Sequence, residues 1–528
     1  MNRPLMNTAL SELHEGLLPA LVALLDDAGT LHDPHDNAPT PSDHYAQVSL
    51  ALAMACDPET SLDDALAPLD AWAELDSKQI GHLPFNRLLL GFCSKVFEAR
   101  GASAAQLARI EAAHARCTLA HDYPSNNWAL LAQLSRLIEA PDAQVAAEQQ
   151  AFCDLLERWT TRDGAFIDYP AQPAAGGRVA TPFAYHHKAL LLTALAARLR
   201  PCPALFAHLR RLFGWLVHCW DAAGYAGGLG RSNHALFGDA CLLGAMVLLG
   251  LDKDDANSPV TALSRRVGAQ RRDDGLLWLD PFGHQQGDAG WDNYMHLTVY
   301  NAWTAAVTAI CRWLGPVDAE VLATHRVAWR GDEPGVFHDR QAGVLCMRNA
   351  RGGCLVLSTR GQLPQAFSLN EAELRYAGGV PLHAGGQGDA LCELVPRRVA
   401  LARLRQDADL AGWTTVIEHG GALYGLTDFD QVEVGEEAET VTVSLRGHPV
   451  ALTRHPPAGV VALALAALDW RFFDGRLGRR QAARREVLKQ VTGEILWRID
   501  LRDMGYEREL RIVPESVRVL NLRHGQRG

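Results

Sequence analysis

The sequence predicts a multidomain α+β protein. An N-terminal (α/α)6 toroid occupies residues 1–320, and a C-terminal antiparallel β-sandwich-like domain occupies residues 335–528. Three observations carry that reading. Apolar helical segments recur six times in the first part of the chain, and an amphipathic segment separates each from the next. After Gly331 the texture changes to short β-rich runs broken by glycine, proline and aspartate. A length of 528 residues also calls for more than one hydrophobic core.

The apolar helices are expected to start near His44, Phe85, Asn126, Phe183, Ser232 and Asp292. Amphipathic helices fit over 8–26, 63–76, 104–118, 144–160, 204–220 and 259–271. A helix apolar nearly all round is buried on every side, and one with a single apolar stripe packs on one side only. Six of each describe an inner and an outer ring. Strands are expected at Gly343–Met347, Cys354–Ser358, Trp413–Glu418, Thr440–Leu445, Val460–Leu465 and Ile495–Leu501. The boundary falls at 315–335, near Pro316 and Pro334.

Composition excludes several classes. The net charge of −11 argues against nucleic acid, which needs a basic surface. It leaves room for an anionic sugar, since a local basic cleft can exist in an acidic protein. No stretch is long and apolar enough for a membrane span, and the first residues lack a signal-peptide pattern, so a cytoplasmic protein is expected. The 11 cysteines form no CxxC pair and read as buried thiols in a reducing compartment. No signal of oligomeric state is present.

Each expected inner helix opens on a polar or aromatic cluster. These are His44-Tyr45, Asn86-Arg87, Asn126-Asn127-Trp128, Tyr185-His186-His187, Arg231-Ser232-Asn233-His234 and Trp291-Asp292-Asn293-Tyr294. Inner helices of a toroid run the same way, so their starts converge on one mouth. Helix capping accounts for one Ser, Asp or Asn at each start. It does not account for the His, Tyr, Trp or Arg beside it. Rings that stack on sugar faces and amides that read hydroxyls together suit a glycan. The glycines of Gly224–Arg231 read as a loop that delivers Arg231 to the mouth, since no strand precedes them and no GK[ST] follows. The histidines lack HExxH or a comparable local spacing, so neither metal nor other cofactor is expected.

These motifs resemble those of heparinase II/III-type polysaccharide lyases, in which an α/α toroid precedes an antiparallel β domain. Those enzymes carry Asn-Asn-His at an inner helix, then a DG segment leading to a catalytic tyrosine. Here Asn126-Asn127-Trp128 is followed by Asp163-Gly164 through Asp168 and then by Tyr185-His186, with Trp128 where the family has histidine. The opening of the β region, Val336 through Arg348, is also similar. The family's next, histidine-bearing segment corresponds to residues 364–381, which hold no histidine. Asn127-Trp128, Asp163-Gly164 and Gly230-Arg231-Ser232 further resemble toroid families that include uronic-acid glycosidases.

Both resemblances imply an anionic, uronate-containing oligo- or polysaccharide as partner, and they differ on how the bond is broken. A lyase removes the C5 proton beside the carboxylate and expels the 4-linked oxygen, so the carboxylate must be neutralised. Tyr185, His186, His234 and Tyr294 are the proton-transfer candidates. Asn126, Asn127, Trp128, His187, Arg231, Asn233, Asp292, Asn293, His44 and Tyr45 are the substrate-binding candidates. A hydrolase would need two carboxyl groups, for which Asp163, Asp168, Asp280, Asp288 and Asp292 are available. A non-catalytic glycan-binding protein is the third reading.

Overall fold

The computed structural model describes residues 7–520 apart from 36, 124, 169–182, 227–231, 233, 254, 256–257, 283–294, 332, 362–370, 376, 386–397, 453–459 and 474–485. The described residues up to Gly331 form one compact unit, and those from Glu333 onward form a second.

The first unit is built from α1 (Thr8–Val22), α2 (Ala46–Cys56), α3 (Leu62–Ala73), α4 (Leu83–Ala99), α5 (Ala104–Arg116), α6 (Asn126–Glu139), α7 (Asp142–Trp159), α8 (Phe183–Leu199), α9 (Pro203–His218), α10 (Leu236–Leu248), α11 (Pro259–Gly268) and α12 (Leu297–Leu314). The even-numbered helices pack each on the next, and α12 packs on α2, so the ring closes. Each odd-numbered helix lies outside the even one before it, and α1 takes the outer position beside α12. Successive pairs are helical hairpins, so all inner helices run the same way and start at one end.

Burial follows the sequence pattern. Every residue of α10 is buried, as are the residues of α8 from Phe183 to Ala197. The outer α5 buries only Ile110 and Ala113 and stands on a capping box in which Ser103 and Gln106 satisfy each other's backbone. Two inner helices start later than the sequence suggests. The N-caps of α10 and α12 are Ala235 and His296, not Ser232 and Asp292. Ser232 and His234 both have positive φ and form a turn ahead of the helix, which postpones its first residue.

One device recurs on the way from outer to inner helices. Bridges Leu25–Leu31, Thr160–Phe166 and Arg271–Leu277, and the pairing of Trp220–Asp221 with Tyr225–Ala226, each close a tight turn. The turns carry Gly29, Gly164, Gly275 and Gly224, all with positive φ. At Gly164 (φ 115°) a Cβ would lie 2.3 Å from the carbonyl oxygen of Arg211 on α9. Gly164→Ala is therefore expected to destabilise the ring by about 1–3 kcal/mol, read by urea denaturation.

Among its described residues the second unit holds three four-stranded antiparallel sheets. One joins Gly335–Asp339, Val344–Arg348, Cys354–Ser358 and Pro381–Gly385 in that order. A second joins Gln431–Glu437, Thr440–Gly447, Thr492–Asp500 and Tyr506–Val513, with Val443 opposite Trp497. The third joins Val450–Ala451, Ala422–Leu426, Thr415–His419 and Arg518–Val519. Burial alternates along Thr440–Gly447 and Thr492–Asp500, the mark of a sheet with one covered face. One expected strand is corrected. Val460–Leu465 lies in a helix, Val460–Phe473, whose run of alanine and leucine favours helix and has no alternation of period two.

Candidate active site at the inner-helix starts

The starts of the inner helices meet through aromatic rings. Tyr45, the N-cap of α2, stacks on Phe85 of α4 with ring centres 4.5 Å apart. Trp128 of α6 lies edge-on to Phe85 at 5.8 Å. Phe237 of α10 reaches Phe85 at 6.3 Å, Tyr185 of α8 at 6.4 Å and Trp303 of α12 at 5.5 Å. Tyr45, Phe85, Phe237 and Trp303 are buried and form an apolar floor, whereas Trp128 is half-exposed. Burial raises the Tyr45 phenol well above its usual range, so it holds its proton.

Beside this floor lies a polar network. The backbone N–H and Nδ2 of Asn127 donate to Asp168 Oδ1 at 3.1 and 2.8 Å, and Nδ2 also donates to Ser125 Oγ. Its Oδ1 accepts from Lys188 Nζ at 2.8 Å. Asn126 donates to the Ile167 carbonyl at 2.8 Å. Both asparagines thus pin the 163–168 loop onto α6, which is a different task from holding a substrate carboxylate. Lys188 is fully buried, with its ammonium 3.9 Å from the centre of the Phe85 ring. Desolvation pulls its pKa down to about 7.

Tyr185 begins the same helix three residues earlier and is buried, with its hydroxyl 3.4 Å from Ser232 Oγ. His186 and His187 are also buried. His186 accepts the Phe166 N–H at Nδ1 (3.0 Å) and donates from Nε2 to the Leu212 carbonyl (3.1 Å). Both ring nitrogens are committed, so His186 has no lone pair to act as a base in this arrangement. Burial lowers His186 and His187 to about 3. His234 lies in the turn before α10, edge-on to Phe282 at 5.7 Å. Arg231, Asn233, Asp292, Asn293 and Tyr294 lie outside the described residues.

His44 precedes α2 and is buried. Its Nδ1–H donates to Asp43 Oδ1 at 2.8 Å. The ring of His82, N-cap of α4, lies 4.4 Å from that of His44, and the ring of His296 lies edge-on to it at 4.9 Å. Asp239 on α10 is gripped by both terminal nitrogens of the buried Arg266. Arg87, by contrast, turns to Glu139 and the Cys117 carbonyl and braces neighbouring helices.

Sequence reasoning missed Lys188, His82 and His296. Lys188 left a signal, a lone charge in the otherwise apolar run Ala189–Ala197 and its approach. His82 left none, since its partner His44 precedes a different helix, 38 residues earlier.

No protein-family model matches the chain, and no curated protein matches it. Solved structures do. A polysaccharide lyase is similar at 11% identity and a TM-score of 0.40, over 58% of this chain and 98% of that one. A glycosyl hydrolase family 88 protein from Bacteroides vulgatus is similar at 9% identity and 0.40, over 58% and 98%. An α-1,6-mannanase, GH76A, from Salegentibacter sp. is similar at 12% identity and 0.41, over 57% and 98%.

Proposed function

We propose that this chain is a carbohydrate-active enzyme that cleaves a uronate-containing oligo- or polysaccharide by β-elimination. The observation that carries the reading is a contrast at the helix starts. Tyr185 offers a phenol hydroxyl beside Ser232. Three described carboxylates of this unit are tied: Asp168 to Asn127, Asp239 to Arg266, Asp43 to His44. Proton transfer by tyrosine fits an elimination, whereas hydrolysis calls for two carboxyl groups facing the sugar.

In the proposed step a base takes the C5 proton, the C4=C5 double bond forms, and the C4–O bond breaks. The leaving oxygen then takes a proton from Tyr185. His234 takes the role of base, with Tyr294 in reserve. Arg231 neutralises the carboxylate, an assignment made from sequence. Trp128, half-exposed at the rim, offers a face for a sugar ring. His44, Tyr45, Asn233, Asp292 and Asn293 complete the proposed surround. Lys188 is a positioning residue that acts through Asn127 on the loop carrying Asp168. The second unit is read as a β-sandwich-like domain, supported by the alternating burial of its longer strands.

A panel of uronate glycans read by ultraviolet absorbance and by mass tests the reaction. The expected result is a new absorbance from the unsaturated uronate, with products lighter by one water than those of hydrolysis. New reducing ends without that absorbance would replace elimination with hydrolysis.

A further inference from the structure

We propose that the mouth of the ring carries a binding site for a divalent transition ion of the zinc class, with His44 and His82 as its nitrogen ligands and Asp43 orienting both. One ligand atom from each of these three residues lies within 4.8 Å of the others. The two imidazoles stand at the starts of neighbouring inner helices, with ring centres 4.4 Å apart.

The hydrogen bonds settle which ring atoms are available. A carboxylate and a carbonyl can only accept. His44 therefore donates from Nδ1 to the Asp43 carboxylate, and His82 donates from Nδ1 to the Asp43 backbone carbonyl at 2.7 Å. In both rings the Nε2 lone pair is left as the ligand position. A hydrogen bond from the far ring nitrogen fixes tautomer and plane in metal-bound histidines in the same way. One residue supplies it twice, through its side chain and its backbone.

The His44 ring is 8% exposed, and its Nε2 has no hydrogen-bond partner among the described residues. A buried polar atom without a partner costs free energy unless something fills the position. His82 is held at φ 44°, a left-handed conformation uncommon for a residue with a side chain. The Asp43 side chain is 62% exposed, so an ion has a route in. Imidazole nitrogen selects zinc, copper, nickel or iron over magnesium and calcium. Reading along the chain predicts no metal because the ligands are 38 residues apart and share no helix. The site shares His44 with the proposed glycan surround but uses none of the proton-transfer residues, and ion uptake is measured without glycan, so its failure and that of the elimination reading are distinguishable.

Cobalt(II) titration of the full chain tests it, followed by visible d–d absorption, with zinc(II) binding measured by calorimetry. The wild-type protein is expected to take up one equivalent of either ion, and excess magnesium is expected not to displace it. The His44→Asn/His82→Asn double variant is expected to lose binding while keeping the far-ultraviolet dichroism of the wild type. Asp43→Ala keeps both ligands and removes one orienting bond, so affinity should fall by about 10–100-fold. This exposed substitution also serves if the double variant fails to fold. Failure of the wild type to bind either ion would overturn the site. So would a folded double variant, or Asp43→Ala, that binds as the wild type does.

Discussion

Tyr185→Phe is expected to lower turnover on a uronate glycan by about 10²–10⁴-fold, the range of a single positioned proton transfer. The ring stays, so its packing against Phe237 at 6.4 Å is kept. Only the hydroxyl is lost, together with its 3.4 Å approach to Ser232. Folding stability should change by about 1 kcal/mol or less, the scale of one hydrogen bond. The measurement pairs initial rates with urea denaturation of the same preparations. Near wild-type turnover in a folded variant would remove Tyr185 from the chemistry and return the question to the carboxylates.

The second large effect concerns Lys188. Its folded-state pKa of about 7 lies below the usual 10.5 because the ammonium is desolvated. Above pH 7 the folded lysine has largely lost its proton while the unfolded one still holds it. The unfolded state then binds more protons, so this group's contribution to stability rises with pH between about 7 and 10. Over pH 7.5–9 the slope is about 1.4 kcal/mol per pH unit. Lys188→Met keeps the length of the side chain and abolishes this slope. It also leaves Asn127 Oδ1 without its donor, a pH-independent cost of about 1–3 kcal/mol. The difference in unfolding free energy between the two proteins, measured at several pH values, isolates the effect because thiols common to both cancel. Parallel curves would show that Lys188 does not titrate in this window.

Much of the ring was legible along the chain because a helix buried on all sides has to be apolar on all sides. The runs in α8 and α10 announce themselves in that way. Their first residues were less legible. The start of α10 depends on a backbone turn between Ser232 and Ala235, which polar side chains only mimic, and α12 has its cap at His296. Val460–Leu465 reads as a strand because a short apolar run fits strand and helix alike until the alanines of Val460–Phe473 are weighed.

Within the site, residue type indicated location better than role. Asn126 and Asn127 do sit at a helix start, yet their amides face inward to Ile167, Asp168 and Lys188. The His186 and His187 pair reads as reactive in sequence, but depth in the fold removes both from solvent. Lys188 is the converse case. A single cation in an apolar run looks like a solvated residue, but here it is the buried hub to which the loop is tied through Asn127.

The seam between α12 and α2 bears on how such a chain is made. During synthesis residues 46–56 emerge long before residues 297–314, yet they are neighbours in the closed ring. Until the last inner helix arrives, the nascent arc ends on a wall of α2 side chains meant for a partner not yet translated. Closure therefore waits on a distant contact with a large loop-entropy cost, which makes it slow. An arc released early would present that sticky flank to other arcs, the circumstance in which chaperone capture and swapped assembly compete with folding. The α1 helix, made before the ring but seated against α11 and α12, finds its partners only near the end of the ring's synthesis.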